Sequence, residues 1–566
     1  MPITDFLERN ARDFADEIAL VEINPSFTSR QAAQRGWKEA FLVETAKRPS
    51  YRKEMTWRQF DELSNCTAQF LLSQGVKRGD KVAILMMNCL EWLPLYFGIL
   101  KTGALAVPMN FRYSSDEIEY CLKLADVSLL LFGPEFVERI EELKMKNEKL
   151  IIDGLTTCDK TDNSSLSILN SSLHYVGDNC PAFAQDFFAG LAGMSCDKPN
   201  ITLSDEQDGA IYFSSGTTGF PKAILHTHRS LVHACETEQA HHGQTHDDVF
   251  LCIPPLYHTG AKMHWFGSLL VGGRGVLLRG VQPDWIIETA AKERATIVWL
   301  LVPWCQDILD AIERGDVDLA RHDLSPLRLM HIGAQPVPPS LVKRWLSIFP
   351  HHDYDTNYGL SESIGPGSVH LGVGNIHKVG AIGKAGYGWQ TRIADENGSD
   401  VPRGDVGELL VKGDGVMKCY YKDEAATAAS LKDGWLYTGD MAREDEDGFI
   451  YLVDRKKDVI ITGGENLYPV QIEDFLREMS EIKDVAVIGL PDERLGEIAA
   501  AIIEPKPDAT LTEEMVEAYC LAMPRYKRPK RIIFDHVPRN PTGKIEKPAL
   551  RRRYSADKLV EAETTR

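Results

Sequence analysis

The chain has 566 residues, 43% hydrophobic and 26% charged, with 63 Lys and Arg against 82 Asp and Glu, a net charge of −19. That balance belongs to a globular protein large enough for two or more domains. The acidic excess excludes a generic nucleic-acid binder, which needs a basic surface.

The N-terminus, MPITDFLERNARDFADE, carries acids where a secretion signal has a basic start and an apolar stretch. The most apolar stretches, 82–100 and 265–278, are interrupted by Asn88, Glu91, Pro94 and Arg274. Neither reaches the ~18 uninterrupted apolar residues of a membrane span. A cytoplasmic chain with no integral membrane segment is expected. Its eleven cysteines are scattered, with no CxxC pair and no His cluster at metal-ligand spacing. Reduced thiols are expected rather than a disulfide framework or a structural zinc.

Before residue 200, helical patterns alternate with short β-rich runs such as 81–87, KVAILMM, which predicts a parallel sheet covered by helices and an α/β class. Residues 153–208, rich in Ser, Asp, Asn and Thr, read as a long surface connection with little core of its own. An apolar strand at 210–213 leads into YFSSGTTGFPK, residues 212–222. Such a loop can offer backbone N–H groups and hydroxyls to phosphate oxygens, with Lys222 as a point charge. Its spacing is not that of a Walker loop, and taken alone it is equally an ordinary surface turn.

After about residue 380, short strands with Gly turns (GDVGELLVKGDGVM, then DEDGFIYLVDRKKDVIITGGEN) predict an antiparallel subdomain ending near Asp454. Helix 471–479, strands 484–489 and 498–503, helix 512–522 and strand 531–534 then predict a small α+β unit of about 110 residues. Residues 525–566 hold 13 Lys and Arg against 5 Asp and Glu, net +8. This tail is either a solvated cationic face or a contact for a phosphate-rich small ligand.

The eleven residues 212–222 resemble the phosphate loop of the adenylate-forming superfamily, which includes acyl-CoA synthetases, aryl-CoA ligases, luciferases and peptide-synthetase adenylation domains. Its other motifs follow in the family's order: NYGLSE at 357–362, GWLYTGD at 434–440, VDRKKDVIITGGENLYP at 453–469 and PRNPTGKIEK at 538–547. The resemblance spans essentially the whole chain and implies its architecture. A large N-terminal adenylation domain, 1–454, with two αβ-layered sheets plus a β-rich subdomain, would bind ATP and acyl substrate. A small mobile C-terminal domain, 455–566, would carry the hinge and the catalytic lysine.

The resemblance also implies roles. Ser214, Ser215, Gly216, Thr217, Thr218, Gly219 and Lys222 would form the flexible phosphate loop. Within it Thr217, Thr218 and Lys222 would hold the β- and γ-phosphates of ATP. Within NYGLSE, Asn357 and Gly359 would line the nucleotide, Tyr358 would stack on adenine and Ser361, where the family more often has Thr, would contact the α-phosphate. Glu362, together with Thr218, would hold Mg²⁺. Gly333, Ala334 and Gln335 would line the adenine and the acyl pocket. Asp440 would accept hydrogen bonds from both ribose hydroxyls, with Arg455 on the other side. Lys544 would bridge the carboxylate and the α-phosphate during adenylate formation. Lys457 matches the hinge about which the small domain would rotate between half-reactions. Gly463, Gly464 and Glu465 would then let the pantetheine arm of coenzyme A pass close to the backbone, and Arg525, Lys527 and Arg528 would meet CoA phosphates.

For the acyl pocket the resemblance points to His258, Gly260, Trp265, Val302, Trp304 and Ile364, with Trp299 and Lys262 as further candidates. GAKMHWFG, 260–267, looks like the GxAKxxWG-type stretch of medium-chain acyl-CoA synthetases, without the tryptophan that often follows its first Gly. Trp265 would cap the acyl tunnel, or is simply a core aromatic. No Asp stands where amino-acid-activating relatives pair the substrate ammonium. The expected function is an ATP-dependent acid–thiol ligase acting on a medium-chain, branched or ring-bearing carboxylate, with CoA as acceptor. A carrier-protein pantetheine or another acceptor, a non-catalytic ATP-binding regulator and a homodimeric state stay open.

Overall fold

The computed structural model describes residues 1–25, 51–152, 172–214, 221–333, 337–462, 465–492, 494–507, 509–539 and 545–564, with backbone alone at 147–152, 261–264, 366, 465–466 and 556–564. The chain forms a mixed α/β structure with a large N-terminal domain and a small C-terminal one. Two large sheets dominate the first. One runs in the order Gln185–Asp186, Leu173–Tyr175, Val127–Phe132, Lys81–Leu85, Leu105–Pro108, Asp208–Ser214, Lys222–Thr227, Cys419–Tyr420. It is parallel up to Asp208–Ser214 and antiparallel beyond. The other runs Asp353–Asp355, Leu329–Gly333, Ile297–Leu301, Val249–Cys252, Arg274–Leu278, Ile18–Ile23, Arg52–Thr56, with only the last pair antiparallel.

The strand sequences explain this arrangement. KVAIL and IVWLL are apolar on both faces, as strands covered on both sides by helices must be. The helices Trp57–Ser73, Trp92–Lys101, His228–His242 and Thr259–Val271 lie between the two sheets, and their aromatic residues fill the largest core with residues of both. Thr56 starts the first of these helices with a capping box: Gln59 N donates to its Oγ1 at 3.2 Å and its own N donates to Gln59 Oε1 at 3.0 Å. Gly243, at φ +55°, ends helix His228–His242 in the left-handed conformation that glycine tolerates.

The β-rich subdomain is a five-stranded sheet built on Gln390–Ala394, Gly407–Lys412, Trp435–Glu444 and Ile450–Arg455, with the short Leu431–Lys432 at its edge. The C-terminal unit has its own five-stranded sheet and its own two apolar clusters. Its helices Pro469–Leu476 and Glu513–Cys520 and its strands Ile482–Asp492, Gly496–Pro505 and Arg531–Phe534 fall within a few residues of the predicted ones.

Two expectations are corrected. Residues 153–208 are not merely a surface connection. Residues 153–171 lie outside the described part, but Leu173–Tyr175 and Gln185–Asp186 extend the first sheet and Phe187 is fully buried. The aromatic residues Tyr175 and Phe187 sit in a polar sequence that dilutes any window average. The cysteines are also not all reduced, since Cys66 on helix Trp57–Ser73 is bonded to Cys196. Among the described residues eight other cysteines are free.

A buried cation ties the inter-sheet helices together. Lys101, 2% exposed, ends helix Trp92–Lys101 and donates to Asp61 Oδ1 at 2.5 Å and Asn65 Oδ1 at 2.6 Å, one turn apart on the neighbouring helix. Removing one partner of a buried ion pair leaves the other uncompensated. Lys101→Met is therefore expected to lower stability by about 3 kcal/mol, read as a lower urea midpoint at unchanged slope. A loss under about 1 kcal/mol would show that water replaces the lysine.

Candidate active site

The strand pair Asp208–Ser214 and Lys222–Thr227 places Ser214 opposite Lys222. The residues between them expected to hold phosphate, Ser215, Gly216, Thr217, Thr218 and Gly219, lie outside the described residues, as do Ala334, Gln335, Gly463, Gly464 and Lys544. Lys222 is described. Its ammonium stands 4.6 Å from the ring centroid of Tyr420, whose strand Cys419–Tyr420 pairs with Lys222–Thr227. The Tyr420 hydroxyl donates to Glu362 Oε1 at 2.9 Å. Burial, with the Glu362 carboxylate beside it, pushes the Tyr420 phenol above its usual range, so it remains a donor.

Glu362 sits in the 3₁₀ turn Ser361–Ser363. Ser363 Oγ accepts from Leu360 N at 2.9 Å, the Glu362 carbonyl accepts from Met417 N at 2.7 Å, and the Ser361 carbonyl lies 2.8 Å from Nε2 of the buried His226. The turn ends on Ile364, fully buried at φ +61°. A β-branched residue is strained in that region and is held there only by its surroundings.

A second cluster lies where the β-rich subdomain begins to pass into the C-terminal unit. Asp440, 4% exposed, faces Arg455 across two antiparallel strands. Arg455 Nε stands 2.6 Å from its Oδ1, and the Tyr358 hydroxyl donates to its Oδ2 at 2.5 Å. Burial and Asp440 push the Tyr358 phenol far up, which keeps it protonated. Tyr358 is thus 7% exposed and bound to the carboxylate expected to meet ribose. Asn357 Nδ2 donates to Glu238 Oε1 at 3.4 Å, and a Cβ on Gly333 would lie 3.2 Å from Trp299 Nε1 and 3.7 Å from Asn357 Oδ1, so Gly333, Trp299 and Asn357 border one another.

Beside these groups lies a cleft lined by Met87, Phe111, Tyr257, His258, Trp299 and Trp304, with Asn88, Arg112 and Arg279 supplying polar edges. Asn88 holds its wall in place: Oδ1 accepts from Leu256 N at 2.8 Å and Nδ2 donates to the Pro254 carbonyl at 2.9 Å. Arg279 is neutralised by Glu135 at 2.6 Å and Glu22 at 3.4 Å. His258 Nδ1 accepts from Gly260 N at 3.2 Å and so caps helix Thr259–Val271, and a Cβ on Gly260 would press on Trp299 at 3.0 Å.

Of the residues expected to form the acyl pocket, His258 and Trp304 line this cleft and Gly260 abuts it. Trp265 does not line it. Its indole is fully buried 6.1 Å from Phe60 and 5.8 Å from Phe266, with Gly275 leaving room for its edge. Val302 is also placed in core, in the cluster behind the second sheet, and Ile364 in the inter-sheet core. The composition around Trp265 is equally apolar in both settings, so the letters cannot separate them. Sequence reasoning missed Tyr420, Asn88 and His226. For Tyr420 the available signal was CYY soon after a Gly turn, which carries no phosphate-loop spacing.

In the C-terminal unit Lys457 is exposed in the turn Lys456–Asp458. Arg525 is exposed, Lys527 Nζ donates to Gln471 Oε1 at 2.8 Å, and Arg528 donates to the Met523 and Leu521 carbonyls that follow helix Glu513–Cys520. Arg528 therefore closes a helix end. Asp454, just before the turn, accepts from Arg455 N at 2.7 Å and from Val470 N at 2.9 Å.

Comparison with known proteins agrees with this architecture. Residues 28–421 match the family model for AMP-binding enzymes, and residues 471–544 match that for the AMP-binding enzyme C-terminal domain. The chain belongs to the AMP-binding enzyme family. It is similar to the long-chain-fatty-acid–CoA ligase FadD13 of Mycobacterium tuberculosis, at 30% identity over 90% of this chain and 95% of that one. It is also similar to a feruloyl-CoA synthase of an Amycolatopsis species, at 31% identity over 88% and 94%. The solved structure of ATP-bound MatB from Rhodopseudomonas palustris superposes with a TM-score of 0.81 at 25% identity, covering 98% of this chain and 99% of that one. No described helix is long and apolar enough to cross a membrane.

Burial pushes the Asp454 carboxyl up to about 6, against partial relief from Lys547. The folded chain therefore holds this proton more tightly than the unfolded chain does. The contribution of Asp454 to stability is largest below about pH 4 and is lost as pH rises to about 6. Stability of Asp454→Asn relative to the parent is expected to rise across that window, read as the difference in Tm between the two proteins from pH 4 to 7. A difference that stays flat with pH would show that Asp454 titrates normally.

Proposed function

We propose that the protein is an AMP-forming acyl-CoA ligase that joins a carboxylate to ATP, releases pyrophosphate, and then passes the acyl group from the adenylate to CoA with release of AMP. The observation that carries this reading is the convergence of Lys222, Tyr420 and Glu362, together with an aromatic cleft that borders Gly333 and Asn357 through Trp299. A cation and a carboxylate share one phenol at the end of the phosphate-loop strands. Lys222 would neutralise the β- and γ-phosphates together with Thr217 and Thr218. The carboxylate oxygens of Glu362 suit Mg²⁺, a hard ion that would draw charge from the departing pyrophosphate. Asp440 would exchange its present partners for the ribose hydroxyls, with Arg455 remaining beside it.

In this reading residues 1–454 bind ATP and acid, and residues 455–566 swivel about Lys457 to deliver Lys544 for adenylation. They then withdraw it as Gly463, Gly464 and Glu465 take up pantetheine, with Arg525 and Lys527 near the CoA phosphates. The flat rings of Phe111, Tyr257, Trp299 and Trp304 favour a ring-bearing acid over a plain chain, because aromatic faces gain from stacking beyond the area they bury. The likeness to a feruloyl-CoA synthase supports the same choice.

The test is pyrophosphate–ATP exchange across a panel of aryl, alicyclic and linear carboxylates, followed by thioester formation with CoA. Exchange dependent on a ring-bearing acid is expected, and exchange with no acid of the panel would overturn the proposal. Lys544→Ala is expected to lower exchange by about a hundredfold or more while conversion of supplied acyl-adenylate and CoA stays within a few-fold. Equal loss in both half-reactions would remove Lys544 from its role. Trp304→Ala is expected to shift the kcat/KM ratio of ring to linear acids by roughly tenfold toward linear ones, whereas an unmoved ratio would place the acyl group elsewhere.

A further inference from the structure

Behind strand Asn357–Leu360, where Asn357 donates to Glu238 and Gly333 follows His331, five buried ionisable side chains meet. Glu238 and His242 are one turn apart on helix His228–His242, His331 is on strand Leu329–Gly333, Asp355 ends strand Asp353–Asp355 and His370 ends strand Gly365–His370. The side chains of all five are 0% exposed. Two carboxylates so deep in the protein cost several kcal/mol each unless positive charge offsets them.

The geometry is directional. Asp355 Oδ1 accepts from Thr356 N and Gly372 N, both at 2.8 Å, which turns Oδ2 toward the histidines. Oδ2 stands 3.3 Å from His242 Nε2 and 3.1 Å from His370 Nδ1. His331 Nδ1 stands 3.2 Å from His242 Nε2 and 3.9 Å from Asp355 Oδ2. One donor atom each of His242, Asp355 and His370 lies within 4.8 Å of the other two. A tetrahedral ion with bonds of about 2.0–2.1 Å needs donor atoms about 3.3–3.4 Å apart.

The outer ring nitrogens face a single carboxylate. Glu238 Oε2 is 3.3 Å from His242 Nδ1, and Glu238 Oε1 is 3.5 Å from His370 Nε2. A carboxylate bracing the far nitrogen of each ligating imidazole, so that the near nitrogen presents its lone pair, is the supporting arrangement of metal-binding histidines. His370 is fixed further by the ring of His241, stacked on it at 3.9 Å and 2°, while His241 Nε2 accepts from Tyr387 N at 2.8 Å.

We propose that His242, His370 and Asp355, with His331 as fourth donor, bind one divalent transition-metal ion of the zinc class that fastens helix His228–His242 to the sheet behind the NYGLSE strand. Imidazole and carboxylate donors favour Zn²⁺ or Co²⁺, whereas Mg²⁺ demands octahedral oxygen ligation and keeps its waters. One doubly charged ion balances the charges of Asp355 and Glu238 together. With every donor buried, the ion enters during folding and exchanges slowly thereafter.

The test uses the untagged full chain, produced in zinc-supplemented and in cobalt-supplemented medium and freed of loose metal by brief chelation. About one equivalent of metal per chain is expected, with visible ligand-field absorption of tetrahedral N/O type in the cobalt form. X-ray absorption of the zinc form is expected to show imidazole scattering with bonds of about 2.0–2.1 Å. His242→Gln and His370→Gln are expected to lose at least about nine-tenths of the metal. Less than about a tenth of an equivalent in the parent chain from both media would overturn the proposal, leaving two imidazolium protons as the compensating charge. Sulfur ligation in the spectra, or full metal content in folded variants, would overturn it equally by moving the ion elsewhere. Should the variants fail to fold, the parent chain's metal content and spectra still decide.

Discussion

Asp440 shows what holds the site together. A carboxylate with 4% exposure is tolerable only because a guanidinium approaches one oxygen and a phenol the other. Those partners come from different parts of the chain: Arg455 from the next strand of the β-rich sheet, Tyr358 from the strand that leads into the Glu362 turn. Satisfying one buried charge therefore fixes where two separate sheets stand relative to each other. The Glu362 turn, and with it the Tyr420 hydroxyl and the Lys222 ammonium, follows from that placement.

The cleft for the acid is governed by the pleat of a single strand. In Ile297–Leu301, Trp299 and Leu301 face the inter-sheet core and the cleft, whereas Val298 and Leu300 pack on the opposite side against the outer helices. Substitutions that reshape the cleft are thus confined to alternate positions, and their neighbours answer to packing alone. Asn88 does the complementary work from the other sheet, since its amide meets both a backbone donor and a backbone acceptor of the 254–256 segment.

Much of this was legible in the letters. The apolar runs at 81–87 and 210–213 are strands because parallel strands buried on both faces need no alternation, and the C-terminal α+β unit followed from clean helix and strand periods with turn residues between them. The ATP motifs identified the family because their order and spacing leave few alternatives. The remainder was hidden for physical reasons. Trp265 is as apolar as Trp304, and only the direction each points separates core from cleft. Tyr175 and Phe187 are isolated aromatics in a polar stretch. The five residues around Asp355 come from four elements distant in sequence, so no local spacing brings them together. The Cys66–Cys196 bond likewise depends on how the segment between strands Gln185–Asp186 and Asp208–Ser214 returns to helix Trp57–Ser73.

The Asp454 carboxylate touches chain on both sides of the Lys456–Asp458 turn, taking Arg455 N before it and Val470 N after it. By contrast Asp458 pairs with Arg551 at 2.7 Å and Glu473 with Lys547 at 2.8 Å, both wholly on the far side. Any pivoting at Lys457 would carry those two ion pairs along intact but would have to part Asp454 from Val470. Breaking that contact would cost on the order of one hydrogen bond, about 1 kcal/mol. A cost of that size would bias a pivot there without locking it.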